Sequence, residues 1–231
     1  MTDARPYPLI RPVADRAIMV EFGDVISDDA QQQVASLDTK LGGAPFYGFT
    51  EAVPALVNIL VCFDPTLSDH ASAEQAVKAL LASPDLAAPK GCLRLVEICY
   101  DDDFAPDLKE VSNQTGLTED AIVNQHLATT YRVVMYGFAP GYAYLGGGPS
   151  ALYLPRKPSA KRGVPAASVI IAGSQCLITT LTMPTGWWII GRSTAKILTD
   201  DPAKPFLFNL GDEIRFRRID RSTFDLSRAT G

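Results

Sequence analysis

Residues 137–148 read GFAPGYAYLGGG, and residues 162–176 read RGVPAASVIIAGSQC. The first stretch suits neither a helix nor a strand interior, because glycine gives up backbone entropy there and proline lacks the N–H a ladder needs. The second resolves into two apolar strands, Val169–Ala172 and Cys176–Leu181, folded about the turn AGSQC. Around them, Tyr131–Tyr136, Trp187–Gly191 and Glu213–Arg218 are further short β-rich segments separated by Gly/Pro turns. Short strands at this spacing predict a closed sheet, a barrel, over the second part of the chain.

Upstream the pattern changes. Ala17–Phe22 (AIMVEF) reads as a strand, and Ser27–Asp29 cap a helix over about 30–41 with Val34, Leu37 and Leu41 on one face. Phe49–Ala52 and Leu56–Phe63 read as strands on either side of Pro54, and Asp69–Leu81 as a second amphipathic helix stopped at Ser83-Pro84. Leu93–Tyr100 is a further strand. The order is then the β-α-β-β-α-β of a ferredoxin-like split sandwich, with Ser83–Gly91 as the candidate linker. The expected division is 1–90, an α+β domain, and 91–231, a β-barrel domain. Two short helices, Asp107–Thr115 and Thr118–Leu127, precede the barrel strands.

Composition narrows the function. A net charge of −5 argues against general affinity for nucleic acid. The longest apolar run, near Ala167–Ala172, is too short to cross a bilayer, and residues 1–20 do not read as a signal peptide, so the expected address is the cytoplasm. The four cysteines form no CxxC pair and read mainly as buried free thiols, and the two histidines, His70 and His126, are too far apart for a local zinc site, so no metal is expected. GxxxxGK[ST], GxGxxG and GxSxG are absent. A chain with no self-contained nucleophile and base supplies part of a site.

The positive signal is electrostatic. Arg156, Lys157, Lys161 and Arg162 place four cations in seven residues between Pro155 and Pro165. Guanidinium groups held this way suit a carboxylate or phosphate, with a solvated loop as the alternative. Backbone N–H groups freed at Gly137, Gly141 and Gly146–Gly148 are further candidate donors. His126, closing a helix, is a candidate acid/base or a packed histidine, and Gln175, in the AGSQC turn, a candidate amide reader or a turn-closing side chain. Strand alternation sends one of Trp187 and Trp188 into the barrel core and the other to a surface or cleft.

The runs YRVVMYGFAPGYAYLGG, LPRKPSAKRGVPAASVIIAGSQC and TGWWIIGRS closely resemble the KipI family, formerly called allophanate hydrolase subunit 1, and the likeness extends upstream over nearly the whole chain. The resemblance implies a ferredoxin-like domain followed by a cyclophilin-like barrel. It implies a non-autonomous subunit of an ATP-dependent 5-oxoprolinase, which opens a small lactam together with a homologous C-type and a further A-type subunit. ATP acts at the level of the assembled complex, and no biotin attachment site is expected in this chain. A kinase-inhibiting binding protein and a carboxyltransferase subunit for urea-like amides are the alternatives. The candidate catalytic residues are His126, Arg162 and Gln175. The candidate substrate or anion contacts are Gly137, Phe138, Pro140, Gly141, Tyr144, Arg156, Lys161, Pro165, Trp187 and Arg192. The sequence departs from the family at SAKRGVPAASV, where many members have TPRTRVPAGSV, so Ala167 stands where glycine is usual. It also departs at PTGWW for PGGW and at QCLITT for QTGIYP.

Overall fold

In the computed structural model, residues 6–84 and 91–229 are described, and the chain divides into two compact units, Met1–Pro89 and Lys90–Gly231. Most of the candidate linker lies outside the described residues.

The first unit runs β1 (Leu9–Val13), β2 (Ala17–Glu21), α1 (Asp28–Gly43), β3 (Phe49–Pro54), β4 (Asn58–Phe63) and α2 (His70–Ala82). Its four strands form one antiparallel sheet in the order β1-β2-β4-β3. Alternation puts Ile18, Val20, Ile59, Val61 and Phe63 on one face, where they pack with Val34, Leu37 and Leu41 of α1 and Ala73 and Val77 of α2. Both helices start where their caps dictate: the Ser27 hydroxyl accepts from Ala30 N, and the Asp69 carboxylate from Ser72 N. The observed order differs from the expected β-α-β-β-α-β. The edge beside β2 is filled by the hairpin strand β1, which alternation alone did not reveal because Arg11 and Pro12 interrupt its apolar residues. Leu93–Cys99 hydrogen-bonds in the second unit instead.

The second unit holds β5 (Leu93–Cys99), α3 (Leu108–Thr115), α4 (Glu119–Ala128), β6 (Tyr131–Tyr136), β7 (Ala143–Gly146), β8 (Lys161–Val164), β9 (Ser168–Ala172), β10 (Gln175–Ile178), β11 (Met183–Thr185), β12 (Trp188–Ser193), β13 (Glu213–Arg218) and α5 (Arg221–Ala229). Seven strands close into a barrel in the order β10-β7-β6-β13-β5-β12-β9, and β8 pairs with β11 as a separate ribbon. Closure uses a parallel pairing of β13 with β5, from Glu213 opposite Leu93 to Arg218 opposite Ile98. The buried Asp212 carboxylate secures that seam by accepting from Cys92 N, Asn209 N and the Arg94 guanidinium. A Cβ on Gly91 would lie 1.9 Å from Gly211 O, so only glycine lets the two segments run this close.

Inside, Val96, Ile98, Val133, Leu145, Val169, Ile171, Ile190, Ile214 and Phe216 pack with Val111 of α3 and Ile122 and Val123 of α4. His126 lies in this interior with no exposed surface. Its Nδ1 is 2.7 Å from the Tyr100 hydroxyl, its Nε2 is 3.4 Å from Cys176 Sγ, and its ring packs on Tyr131 and Phe216. Burial pushes its pKa down to about 3 and raises those of the Tyr100 hydroxyl and the Cys176 thiol. Cys99 and Cys176 are buried and Cys62 half-buried, whereas Cys92 is exposed; all four are free.

The turn from β8 into β9 carries Ala167 at φ 66°, a left-handed conformation in which a Cβ crowds the backbone. It persists because its neighbours are tied down: Ala167 N donates to Thr179 O, Ser193 N donates to Ala167 O, and the hydroxyls of Ser168 and Thr179 both donate to Pro165 O.

Two stability measurements follow from these environments. Because folding lowers the His126 pKa, the unfolded chain binds the extra proton between about pH 3 and 6.5. Stability contributed by the neutral ring is therefore complete above about pH 6.5 and lost as pH falls, by up to about 1.4 kcal/mol per pH unit. Urea midpoints of the wild type and His126→Gln from pH 7 to 5 should show a shallower acid slope in the variant; equal slopes would refute the assignment. Ala167→Gly removes left-handed strain of ~1–2 kcal/mol at an entropic cost of ~0.5–1 kcal/mol. It should raise the urea midpoint with an unchanged m-value, and Ala167→Val should lower it.

Candidate functional site

The β8–β9 turn and the segment between β5 and α3 enclose a cleft of about 130 Å³, lined by Asp103, Phe104, Pro106, Lys161, Gly163, Val164, Pro165, Ser168, Ile189 and Arg192. Lys161 reaches it from β8, Arg192 from β12, and Ser168 opens β9 on its wall. The Arg192 guanidinium lies 5.5 Å from the Phe104 ring centroid and that of Arg221 4.2 Å from the same centroid, so two cations gather around one aromatic ring. The Ser168 hydroxyl is committed to Pro165 O. The cleft therefore offers two cationic side chains beside an apolar wall and a single acidic residue, Asp103, on its rim. That composition suits a small anion.

Three of the expected contacts, Lys161, Pro165 and Arg192, meet here. Arg162 does not line the cleft, because neighbouring residues on a strand point to opposite sides and Lys161 and Gly163 take the cleft side. Lys157 is committed elsewhere: its ammonium pairs with the Asp107 carboxylate, which also accepts from Ile189 N at 2.7 Å, and lies 5.4 Å from the Trp188 ring centroid. The pair is largely buried, with side-chain exposures of 11 and 15 %, and fixes the loop before β8 to the start of α3.

A second group forms an outer layer over β9, β10 and β12. Tyr142, Val164, Ile170, Ala172, Leu177, Trp187 and Ile189 pack with Ala139, Tyr144 and Met183. Rings follow one another from Phe138 to Tyr142, Tyr144 and Trp187 at centroid spacings of 5.5, 6.3 and 5.9 Å, and the Arg156 guanidinium ends the series 5.8 Å from Trp187. Val164 and Ile189 belong to both this layer and the cleft wall, so the two adjoin. Both tryptophans are buried, contrary to the expectation that one faces a surface: Trp188 fills the barrel core and donates to Pro155 O, and Trp187 is roofed by Tyr144 and Arg156.

The glycine-rich segment uses its backbone donors internally. Gly137 N donates to Tyr142 O and Gly148 N to Ser174 O, so neither is presented to a ligand. Gly141, at φ 69°, packs under Leu198 and Phe206. Phe138 takes φ 72°, and Ala139 N donates to Gly137 O across it, a left-handed γ-turn that leaves Phe138 76 % exposed beside the exposed Pro140. Gln175 opens β10 at the turn, the far end of the hairpin from Ser168, some four residues or ~13 Å along the strand. His126, sealed in the barrel interior, reaches neither the cleft nor solvent, which removes it as an acid/base at this surface. Asp103, Phe104 and Ser168 were not singled out from the sequence. The DDDF run carried the only local signal, and its role depends on the barrel bringing it beside Arg192.

The family described as carboxyltransferase domain, subdomain C and D, matches residues 8–208. The chain is 31% identical over 229 residues to the B-type subunit of 5-oxoprolinase from Bacillus subtilis (strain 168), covering 93% of this chain and 94% of that one. The crystal structure of TTHA0988 superposes with a TM-score of 0.78 at 32% identity, covering 89% of this chain and only 40% of that chain. The urea amidolyase of K. lactis shares the fold at a TM-score of 0.77 and 15% identity, over 94% of this chain and 15% of that one. The chain belongs to the carboxyltransferase-domain family of subdomains C and D.

Proposed function

We propose that this chain is the B-type subunit of an ATP-dependent 5-oxoprolinase, working with a homologous cyclophilin-like C-type subunit plus an A-type one to open 5-oxo-L-proline to L-glutamate in the cytoplasm. In this reading the first unit is a variant of the ferredoxin-like sandwich and the second a cyclophilin-like barrel. The observation that carries it is a cleft with cations and no nucleophile–base pair among its described residues, on a chain similar over most of its length to the B-type 5-oxoprolinase subunit of Bacillus subtilis. Such a site holds a small anionic substrate and needs another polypeptide to complete the chemistry.

Lys161 and Arg192 hold the substrate carboxylate, and the Phe104 and Ile189 wall accepts the ring methylenes. An unstrained lactam resists water; a phosphoryl group from ATP on its carbonyl oxygen would make the carbon electrophilic enough for water to add. Cations beside the site would stabilise the charge that develops as the C–N bond then breaks, the ring nitrogen taking a proton, and a second water would release phosphate from the resulting acyl phosphate to leave the carboxylate. At about 130 Å³ the cleft fits a small carboxylate or a phosphoryl group, whereas drug-sized ligands need ~300 Å³ or more. The nucleotide is therefore held largely by the assembled complex.

Mixing the chain with the A-type and C-type subunits should give glutamate release that requires both ATP and 5-oxoproline. Arg192→Ala and Lys161→Ala should each lower kcat/KM for 5-oxoproline about 10- to 100-fold, mainly through KM, with Arg192→Lys intermediate. Unchanged kinetics in both alanine variants would remove the cleft from the substrate site. Turnover of a urea-type amide with a biotin-bearing partner, and none with 5-oxoproline, would replace the reading by carboxyl transfer.

A further inference from the structure

The aromatic wall of the cleft is backed by the end of the chain. Phe104 packs with Cys99, Ile219 and Phe224 in a small cluster apart from the barrel interior, its ring centroid 4.5 Å from that of Phe224. Phe224 belongs to α5, a helix of nine residues, too short to persist in water without docking. The start of α5 is set by Asp220, whose carboxylate accepts from Thr223 N at 2.8 Å. That cap fixes the place of Arg221, the first residue of the helix.

Arg221 does not line the cleft, yet it touches the segment from Asp101 to Phe104 at three points. Its backbone N donates to the Asp101 carboxylate at 3.1 Å, its Nη1 lies 3.9 Å from Asp103 Oδ2, and its guanidinium carbon is 4.2 Å from the Phe104 ring centroid. Asp225, one turn on, accepts from Nε at 3.1 and 3.2 Å and holds the guanidinium in that orientation. Stability does not account for the contact with Asp103. That side chain is 86 % exposed, and a long, solvated ion pair contributes close to nothing to folding. The contact acts on the cleft instead. Asp103 is the one carboxylate of a lining that also holds Lys161 and Arg192, and its charge opposes an anionic ligand there. A guanidinium held beside it offsets that repulsion.

We propose that Arg221 is a positioning residue of the anion cleft. It braces Phe104 and neutralises Asp103, so that Lys161 and Arg192 set the charge a ligand meets. The proposal rests on the reading of the cleft as the carboxylate site of a 5-oxoprolinase, and it extends that site to α5.

The test is steady-state kinetics of the complex assembled with the A-type and C-type subunits, with kcat and KM for 5-oxoproline read separately. The variants are Arg221→Gln, Arg221→Lys, and Arg221→Gln combined with Asp103→Asn. Arg221→Gln should raise KM about 3- to 10-fold, with kcat changed less than about 2-fold and the rise in KM larger at low salt than at high. Lysine keeps the charge and should recover most of the loss. Removing the opposed carboxylate should do the same, so the double variant should return to within about 2-fold of the wild-type KM. A raised KM that neither lysine nor Asp103→Asn restores would make Arg221 a purely structural brace and overturn the proposal. Wild-type KM in Arg221→Gln, where Arg192→Ala does raise KM, would overturn it and leave the cleft as the substrate site. Wild-type KM in Arg221→Gln, Arg192→Ala and Lys161→Ala alike, or no turnover of 5-oxoproline by the wild-type complex, would overturn both.

Discussion

The second unit is organised by one constraint: β9 buries all five of its side chains, so the barrel must be covered on the outside as well as filled on the inside. Val169 and Ile171 point into the interior, where α3 and α4 supply packing, while Ile170 and Ala172 point outward with Leu177 and Ile189. Leaving an outward isoleucine in water would forfeit ~1.5–3 kcal/mol. The segments 137–144 and 155–165 and the β8–β11 ribbon provide that cover, which is why irregular, glycine- and proline-rich backbone accumulates there. The cleft exists because this cover ends at the β8–β9 turn.

The same cover sorts the cations by what each has to touch. Lys157 is drawn under it to Asp107, where its charge is neutralised and anchors α3. Arg156 lies on Trp187 and shields apolar surface with its own stem. Lys161 and Arg192 are left beside a hydroxyl and an aromatic wall, with Asp103 as the one carboxylate of the cleft lining. A cluster that looks uniform in sequence thus divides into a fastening residue, a packing residue and residues that line a cleft. His126 makes the complementary point: a residue chemically suited to proton transfer is turned into core by the loss of its hydration.

Much of the local structure was legible. Both helices of the first unit, α3, α4 and six of the barrel strands lie within a few residues of where periodicity, caps and turns place them. Short strands such as β7, β8 and β11, with three or four residues each, carry too little pattern to be read alone. The partner of Leu93–Cys99 was left undecided between the element order, which joined it to the first sheet, and the division at 90/91, which put it in the barrel domain. An apolar strand states that it pairs, and nothing in its own residues distinguishes β2 from β13 as the neighbour.

Sequence alone determined the kind of elements, the absence of acidic residues between 137 and 199, and the family, because these depend on short-range periodicity, counting and the order of motifs. Tertiary structure alone decided which cations face the cleft, that Asp103, Phe104 and Ser168 join them, and that Gln175 and His126 stand apart. Those outcomes depend on barrel closure and on which side of a strand a residue points. Both are set by contacts between residues tens of positions apart, whose geometry no local pattern encodes.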